Sequence, residues 1–209
     1  MNAYKTLAKG VCAEYILKRS RFLCYVKPVS DEENALAFIR EIAAKHWDAS
    51  HNVWAYALRE GQRLRYSDDG EPQGTAGLPV LEAMRSRKIT DAAIVVTRYF
   101  GGVKLGASGL TRAYAHSAGR GLEEAEIVTM RPCVRMRLTL PYSRYAQFER
   151  LLASLGGIAI DIAFAETVTA TFDLPEEMGD RLTAALAVFA AGNEPKVTGR
   201  DFIKSNINE

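Results

Sequence analysis

The residues best placed to do chemistry lie in a glycine-rich run, Arg98-Tyr-Phe-Gly-Gly-Val-Lys-Leu-Gly-Ala-Ser-Gly-Leu110, between an apolar stretch and a helical pattern. Gly101, Gly102, Gly106 and Gly109 let a backbone turn sharply and approach a ligand closely. The helix that follows offers free N–H groups and a positive dipole end, which favour an anion. Arg98, Lys104 and Arg112 supply counter-charge. The chemistry this spacing suits is phosphate binding: a nucleotide, an RNA backbone or a phosphorylated small molecule. The competing reading is a tight strand-to-helix turn that needs glycine for geometry alone. Neither G-x-x-x-x-G-K-[ST] nor G-x-G-x-x-G is present, which excludes a Walker loop and a dinucleotide fingerprint.

A second cluster is acidic, Ser67-Asp-Asp-Gly-Glu-Pro-Gln-Gly-Thr-Ala-Gly77. Asp68, Asp69 and Glu71 are hard oxygen ligands suited to Mg²⁺, and one of them could serve as a general base. Carboxylates beside Gly and Pro also make ordinary solvated turns. His51 is a candidate acid–base partner for Asp68. No catalytic residue is assigned, since no G-x-S-x-G elbow accompanies these groups. A third cluster, Lys18-Arg19-Ser20-Arg21-Phe22, puts three cations at a strand entry. It suits phosphate contacts or a charged strand edge that resists aggregation. Arg85, Arg87 and Lys88 at a helix end need no explanation beyond the helix dipole. His46 and His116 read as helix-surface or packing residues. The Arg135, Arg137 and Thr139 strand face lacks the stacked aromatics of RNA-binding sheets and reads as solvated or as a domain contact.

The elements that must position these groups follow from periodicity. Strands are predicted over 21–28, 52–59 and 92–100, the last a continuous apolar run typical of a central strand. Ser30 and Glu33 form a capping-box pattern ahead of a helix carrying Leu36, Phe38, Ile39, Ile42 and Ala43. Residues 61–77 read as one long irregular segment. Pro79 suits the first turn of a short helix over 80–88, and another helix runs to about Glu124. A boundary is expected at 126–132, giving domains 1–130 and 131–209. The second half reads strand 133–140, helix around Phe148–Leu155, strands 158–164 and 167–172, helix around Met178–Phe189 and strand 196–203. That βαββαβ order is the ferredoxin-like arrangement.

Composition narrows the classes. Among the 209 residues, apolar residues at 48% and charged residues at 25% give the balance of a globular chain, which excludes disorder and a collagen-like fibre. The formal net charge of +2 argues against bulk-charge binding of polyanions, so a nucleic-acid surface must be a local patch. Cys12, Cys24 and Cys133 are far apart and form no C-x-x-C pair, which argues against a disulfide framework or zinc knuckle and for a reducing compartment. No run approaches the ~20 apolar residues of a membrane helix. No signal peptide and no membrane contact are expected, and the cytoplasm is the expected location.

Four segments together resemble the IMPACT family: KRSRF at 18–22, HNVWAY at 51–56, SDDGEPQGTAGLP at 67–79 and RYFGGVKLGASGLTRAY at 98–114. The resemblance spans roughly 15–120, and the following half looks like the small C-terminal domain of bacterial members. Ser108 departs from a second glycine frequent there. The resemblance implies an α+β, two-domain protein. Its N-terminal domain is an α/β sandwich of the ribosomal-protein and elongation-factor type, followed by a ferredoxin-like domain. It implies a link to translation. The expectation is a cytoplasmic regulator that binds RNA or the ribosome. Its candidate phosphate-binding residues are Lys18, Arg19, Arg21, Arg98, Gly101, Gly102, Lys104, Gly106, Gly109 and Arg112, with no cofactor. The alternative is a Mg²⁺-dependent phosphoryl-transfer or hydrolytic enzyme acting on a small phosphorylated ligand, with Asp68, Asp69 and Glu71 holding the metal.

Overall fold

The computed structural model describes residues 2–187 and 194–205. The chain divides into two compact units, Tyr4–Val128 and the chain from Thr129 onward together with its first residues. The first unit contains β1 (Tyr4–Leu7), β2 (Val11–Leu17), β3 (Ser20–Pro28), α1 (Glu32–Lys45), β4 (His51–Leu58), β5 (Arg63–Ser67), α2 (Gly77–Ser86), β6 (Ala92–Tyr99) and α3 (Ala107–Glu124). Its main sheet has the order β2-β3-β6-β4-β5, with every neighbour antiparallel.

Helices cover both faces of this sheet, so β6 is apolar on both sides. Ala92, Ile94 and Val96 face α2 and α3 in one core, with Phe22, Cys24 and Val26 of β3 and Val53, Ala55 and Ala57 of β4. Ala93 and Val95 join Tyr56 and Leu58 against Phe38, Ile39 and Ile42 of α1 in the other. Side chains alternate along a strand. The same alternation therefore carries Arg98 to the α2/α3 face and Tyr99 to the α1 face. His51 stands opposite Arg98 in the β4–β6 register, and Phe22 stands opposite it in the β3–β6 register.

Several local expectations are corrected. The capping box does not form: Asp31 is the N-cap of α1, and its carboxylate accepts the Asn34 N–H at 2.8 Å. Ser30 instead accepts from the Asn34 side chain. The segment 61–77 is not irregular throughout, because β5 pairs with β4 from Arg63 to Ser67 and leaves only 68–76 as loop. Leu64 and Tyr66 are exposed on that edge strand, so no buried alternation marks it in the sequence. β2 was not anticipated either; Cys12, Glu14 and even Ile16 lie outward, and only Ala13 is buried. Pro79 is the third residue of α2, which begins at Gly77.

The division between the units, at Val128/Thr129, falls within the expected boundary 126–132, and β7 (Ile127–Leu140) runs unbroken across it. In the second unit β7 is followed by α4 (Tyr142–Ser154), β8 (Ile158–Phe164), β9 (Val168–Pro175), α5 (Gly179–Ala187) and β10 (Lys196–Lys204). The antiparallel order β10-β7-β9-β8 is the ferredoxin-like topology. Leu138, Leu140, Phe148, Phe172, Leu174 and Leu182 form its core. Phe189, read as the last apolar position of its second helix, lies outside the described residues.

Candidate functional site

The glycine loop leaves β6 at Tyr99 and enters α3 at Ala107. It packs tightly on the β2–β3 turn. A Cβ on Gly101 would lie 2.0 Å from the backbone carbon of Arg19, so only glycine fits there. The Gly101 N–H donates to the Ser20 hydroxyl at 3.2 Å, and the Phe100 N–H donates to the Ser50 hydroxyl at 3.1 Å. Gly102, with φ +80°, then carries the chain into open space. Gly106 is the N-cap of α3, and no side chain caps the helix. The first N–H groups of α3 therefore face outward with the positive end of the helix dipole. Ser108 lies in this first helical turn, where a side chain is tolerated, and is exposed.

Lys18 and Arg19 are the two central residues of the β2–β3 turn, with φ of +46° and +67°. Tight hairpins of this geometry favour Asn-Gly, because other residues strain at positive φ. Two exposed cations occupy these positions instead. Lys18 lines a groove of about 360 Å³ with Tyr15, Leu105, Gly109, Arg112 and His116. The His116 ring packs tilted against Tyr15, with ring centres 4.4 Å apart, so it is part of this groove as well as a packing residue. Lys104 lies on the other side of Leu105 and lines a second cavity of about 310 Å³. Among the described residues, Lys18, Arg19, Lys104 and Arg112 form no ion pair, whereas Arg59, Arg63, Arg85, Arg87 and Arg120 each have a carboxylate partner.

Arg21 does not join this cluster. It alternates with Phe22, faces the Tyr99 side of the sheet and is paired with Glu14. Arg98 does reach the second cavity, but as a buried group. Its Nη1 donates to Glu71 Oε1 at 2.5 Å, and both side chains are more than nine-tenths buried. Its guanidinium carbon lies 5.6 Å from the Phe22 ring centre and 5.5 Å from that of Phe100. The Tyr114 hydroxyl donates to the same Glu71 oxygen at 2.8 Å. Burial and the neighbouring carboxylate push the Tyr114 phenol far above its ordinary range, which keeps it a proton donor.

The three loop carboxylates do not converge. Asp68 accepts the N–H groups of Gly74, Ala76 and Gly77 at 2.8, 3.0 and 2.8 Å and holds the loop closed against α2. Asp69 accepts the Asn52 N–H at 2.5 Å. Glu71 is committed to Arg98 and Tyr114. No group of three or more His, Cys, Asp or Glu side chains able to hold a metal occurs among the described residues. The Mg²⁺ ligand set of the alternative reading is not assembled by these three carboxylates, which brace the loop and its neighbours instead. The pairing of His51 with Asp68 is corrected too: His51 Nδ1 meets the Asp69 carbonyl oxygen at 2.7 Å, and its Nε2 lies 3.9 Å from Glu71 Oε2.

Sequence reasoning missed Ser20, Tyr114 and Phe100 as site residues. Ser20 is fully buried between two exposed cations, and a serine inside a basic run was the available signal. Tyr114 sits seven residues into α3 among core positions and looks like packing until its hydroxyl partner is known. Elsewhere, His46 is more than a surface residue. Its Nε2 lies 2.7 Å from the Tyr25 hydroxyl and its Nδ1 lies 2.9 Å from the Tyr99 hydroxyl. In the second unit Arg135 is bidentate on Asp173 at 2.8 and 2.7 Å, so it is committed within its own sheet.

The architecture and site define a class: a two-domain α+β protein with a helix-covered antiparallel sheet, a cation-flanked glycine loop and a ferredoxin-like second domain. Residues 18–122 match the Impact N-terminal domain, and residues 138–193 match a domain of unknown function, DUF1949. The chain belongs to the IMPACT family. It is 38% identical over 169 residues to the IMPACT family member YvyE of Bacillus subtilis, covering 80% of this chain and 78% of the relative. It is 32% identical over 180 residues to YigZ of Escherichia coli, covering 85% and 88%. A solved structure described as that of a hypothetical protein shares 29% identity at a TM-score of 0.62, covering 95% of this chain and 98% of its own. No helix among the described residues is long and apolar enough to cross a membrane.

Proposed function

We propose that this chain is a translation-associated regulator that binds RNA, free or on the ribosome, through the surface around its glycine loop. The observation that carries the reading is the β2–β3 turn. Lys18 and Arg19 hold strained positive-φ positions where Asn-Gly would be cheaper, and they present cations that no carboxylate neutralises among the described residues. Arg112 and Lys104 extend the same charge on either side of Leu105. The uncapped α3 terminus adds N–H donors for a phosphate. Phosphate contacts of this kind position a backbone without reading sequence. The cytoplasm and a reducing environment suit this role.

The test is binding of a fluorescent single-stranded 12-mer RNA, and co-sedimentation with ribosomal subunits, across a salt series. Each lost phosphate contact should flatten the log–log salt slope by about 0.7. The Lys18→Ala and Arg112→Ala variants should each weaken binding and flatten the slope, with the fold intact because both side chains are exposed. No binding at low salt, to RNA or to either subunit, would remove the reading.

A further inference from the structure

Leu105 separates the basic groove from the second cavity, and that cavity has a different chemistry. Its volume of about 310 Å³ is at the small end of ligand pockets, which run from roughly 300 Å³ upward. Pro72, Phe100 and Leu110 give it apolar walls, and Phe100 is half exposed. The polar groups are His51, Glu71 and Arg98.

Their hydrogen bonding is incomplete in a specific pattern. Glu71 Oε1 is engaged twice, by Arg98 and by Tyr114. Glu71 Oε2 has no hydrogen bond among the described residues and faces His51 Nε2 at 3.9 Å. His51 Nδ1 faces a carbonyl oxygen, which can only accept, so Nδ1 carries a proton. In the neutral ring Nε2 is then an acceptor. With the ring neutral, Nε2 and Glu71 Oε2 are two acceptors 3.9 Å apart with no donor between them among the described residues. Arg98 Nε is also buried and has no acceptor among the described residues. Buried donors without partners are rare, and each asks for an explanation.

A ligand that completes this pattern is flat and neutral, and supplies two adjacent N–H donors and a neighbouring carbonyl. Among the nucleobases only guanine does so, with N1–H and the N2 amino group beside O6. Adenine and cytosine put a ring acceptor next to their amino group, which would face the carboxylate. Uracil has one N–H between two carbonyls. We infer that this cavity is a pocket for an unpaired guanine base, resting on the RNA reading above. Glu71 Oε2 and His51 Nε2 accept from its Watson–Crick edge, the Arg98 guanidinium faces O6, and Phe100 covers the ring. Lys104 and the first turn of α3, both at the cavity, receive the attached phosphate. Recognition of splayed bases by edge hydrogen bonds and aromatic stacking is a general mode for single-stranded RNA.

The test uses the full chain. Calorimetry with GMP, IMP, AMP, CMP and UMP is paired with binding of a uridine 12-mer and of the same 12-mer carrying one central G, A or C. GMP should bind about tenfold or more tighter than IMP, which lacks only the N2 amino group, and than the other three. The single G should strengthen RNA binding similarly. Phe100→Ala, at an exposed position, should weaken GMP binding without unfolding the chain. Equal affinity for all five nucleotides, or none, together with no gain from the single G, overturns the guanine pocket. If the uridine 12-mer still binds, the RNA reading survives that failure. GMP selectivity without binding of any RNA keeps the pocket and removes the RNA reading.

Discussion

Glu71 Oε1 lies 2.5 Å from Arg98 Nη1, and the two side chains are 3% and 6% exposed. The pair joins the acidic loop to the central strand, 27 residues apart in the chain. Both groups have left water, and their attraction roughly offsets that desolvation. Removing one partner strands a buried charge. Arg98→Ala and Glu71→Ala should each destabilise the chain by about 3–5 kcal/mol. The double variant Glu71→Leu/Arg98→Met should lie closer to wild type than either single change. Urea titrations of the four proteins check this. Equal losses in the singles and an additive loss in the double would show that the sites act independently.

The acidic loop depends on Asp68 in a different way. Its carboxylate receives three backbone N–H groups, one of them from Gly77 at the start of α2. Asp68→Ala leaves these donors without their charged acceptor, and a loss of about 2 kcal/mol is expected. Asp69→Ala removes a single acceptor, that of the Asn52 N–H, and should cost less. Chemical denaturation of both variants checks the ranking. A larger cost at Asp69 would mean that the loop is braced from the β4 side.

The central part of this geometry was legible in the sequence. The apolar run 92–99 marks a strand buried on both faces, and period two then fixes which side receives Arg98. The βαββαβ order of the second unit was equally plain, because the alternation of β7 and the helical apolar spacing of α4 and α5 frame it, although β8 and β10 are mostly exposed. What could not be read is what depends on register between strands. His51 meets Arg98, and Arg21 meets Tyr99, only because β3, β6 and β4 align as they do. Spacing alone groups Arg21 with Lys18 and Arg19, and His51 with Asp68. Alternation sends Arg21 to the other face, and a left-handed Asp69 turns its carbonyl, not the Asp68 carboxylate, toward His51. The edge strand β5 stayed hidden because its side chains are mostly exposed.

Two adjacent glycines should behave differently. Gly101→Ala forces a Cβ to within 2.0 Å of the Arg19 backbone carbon, with neither backbone free to yield. The turn and loop must separate, so this variant should lose RNA binding and more than about 2 kcal/mol of stability. Gly102→Ala meets no atom within 4 Å and suffers only its positive φ, a cost of about 1 kcal/mol. Thermal melts and RNA titrations of the pair separate close approach from backbone freedom.

The opposite face of the sheet should carry a pH response. Tyr99 donates to Asp48 at 3.0 Å, so its oxygen accepts from His46 Nδ1, and His46 Nε2 in turn accepts from Tyr25. This chain holds the ring in one neutral tautomer, and the Tyr25 phenol, buried beside it, is pushed up to about 12. Burial, reinforced by the adjacent Lys45, lowers the His46 pKa below its ordinary 6.5. The unfolded chain therefore binds a proton at His46 before the folded chain does. The stabilisation is complete above pH 6.5 and is lost as pH falls through the depressed folded value. Between pH 8 and pH 5.5 wild type should therefore lose more stability than His46→Gln, and the difference between the two curves isolates His46 because all other groups are common to both. Denaturation midpoints of the two proteins between pH 5.5 and 8 provide that subtraction. A wild-type curve that parallels the variant across this window would mean that His46 keeps its ordinary affinity for protons in the folded chain.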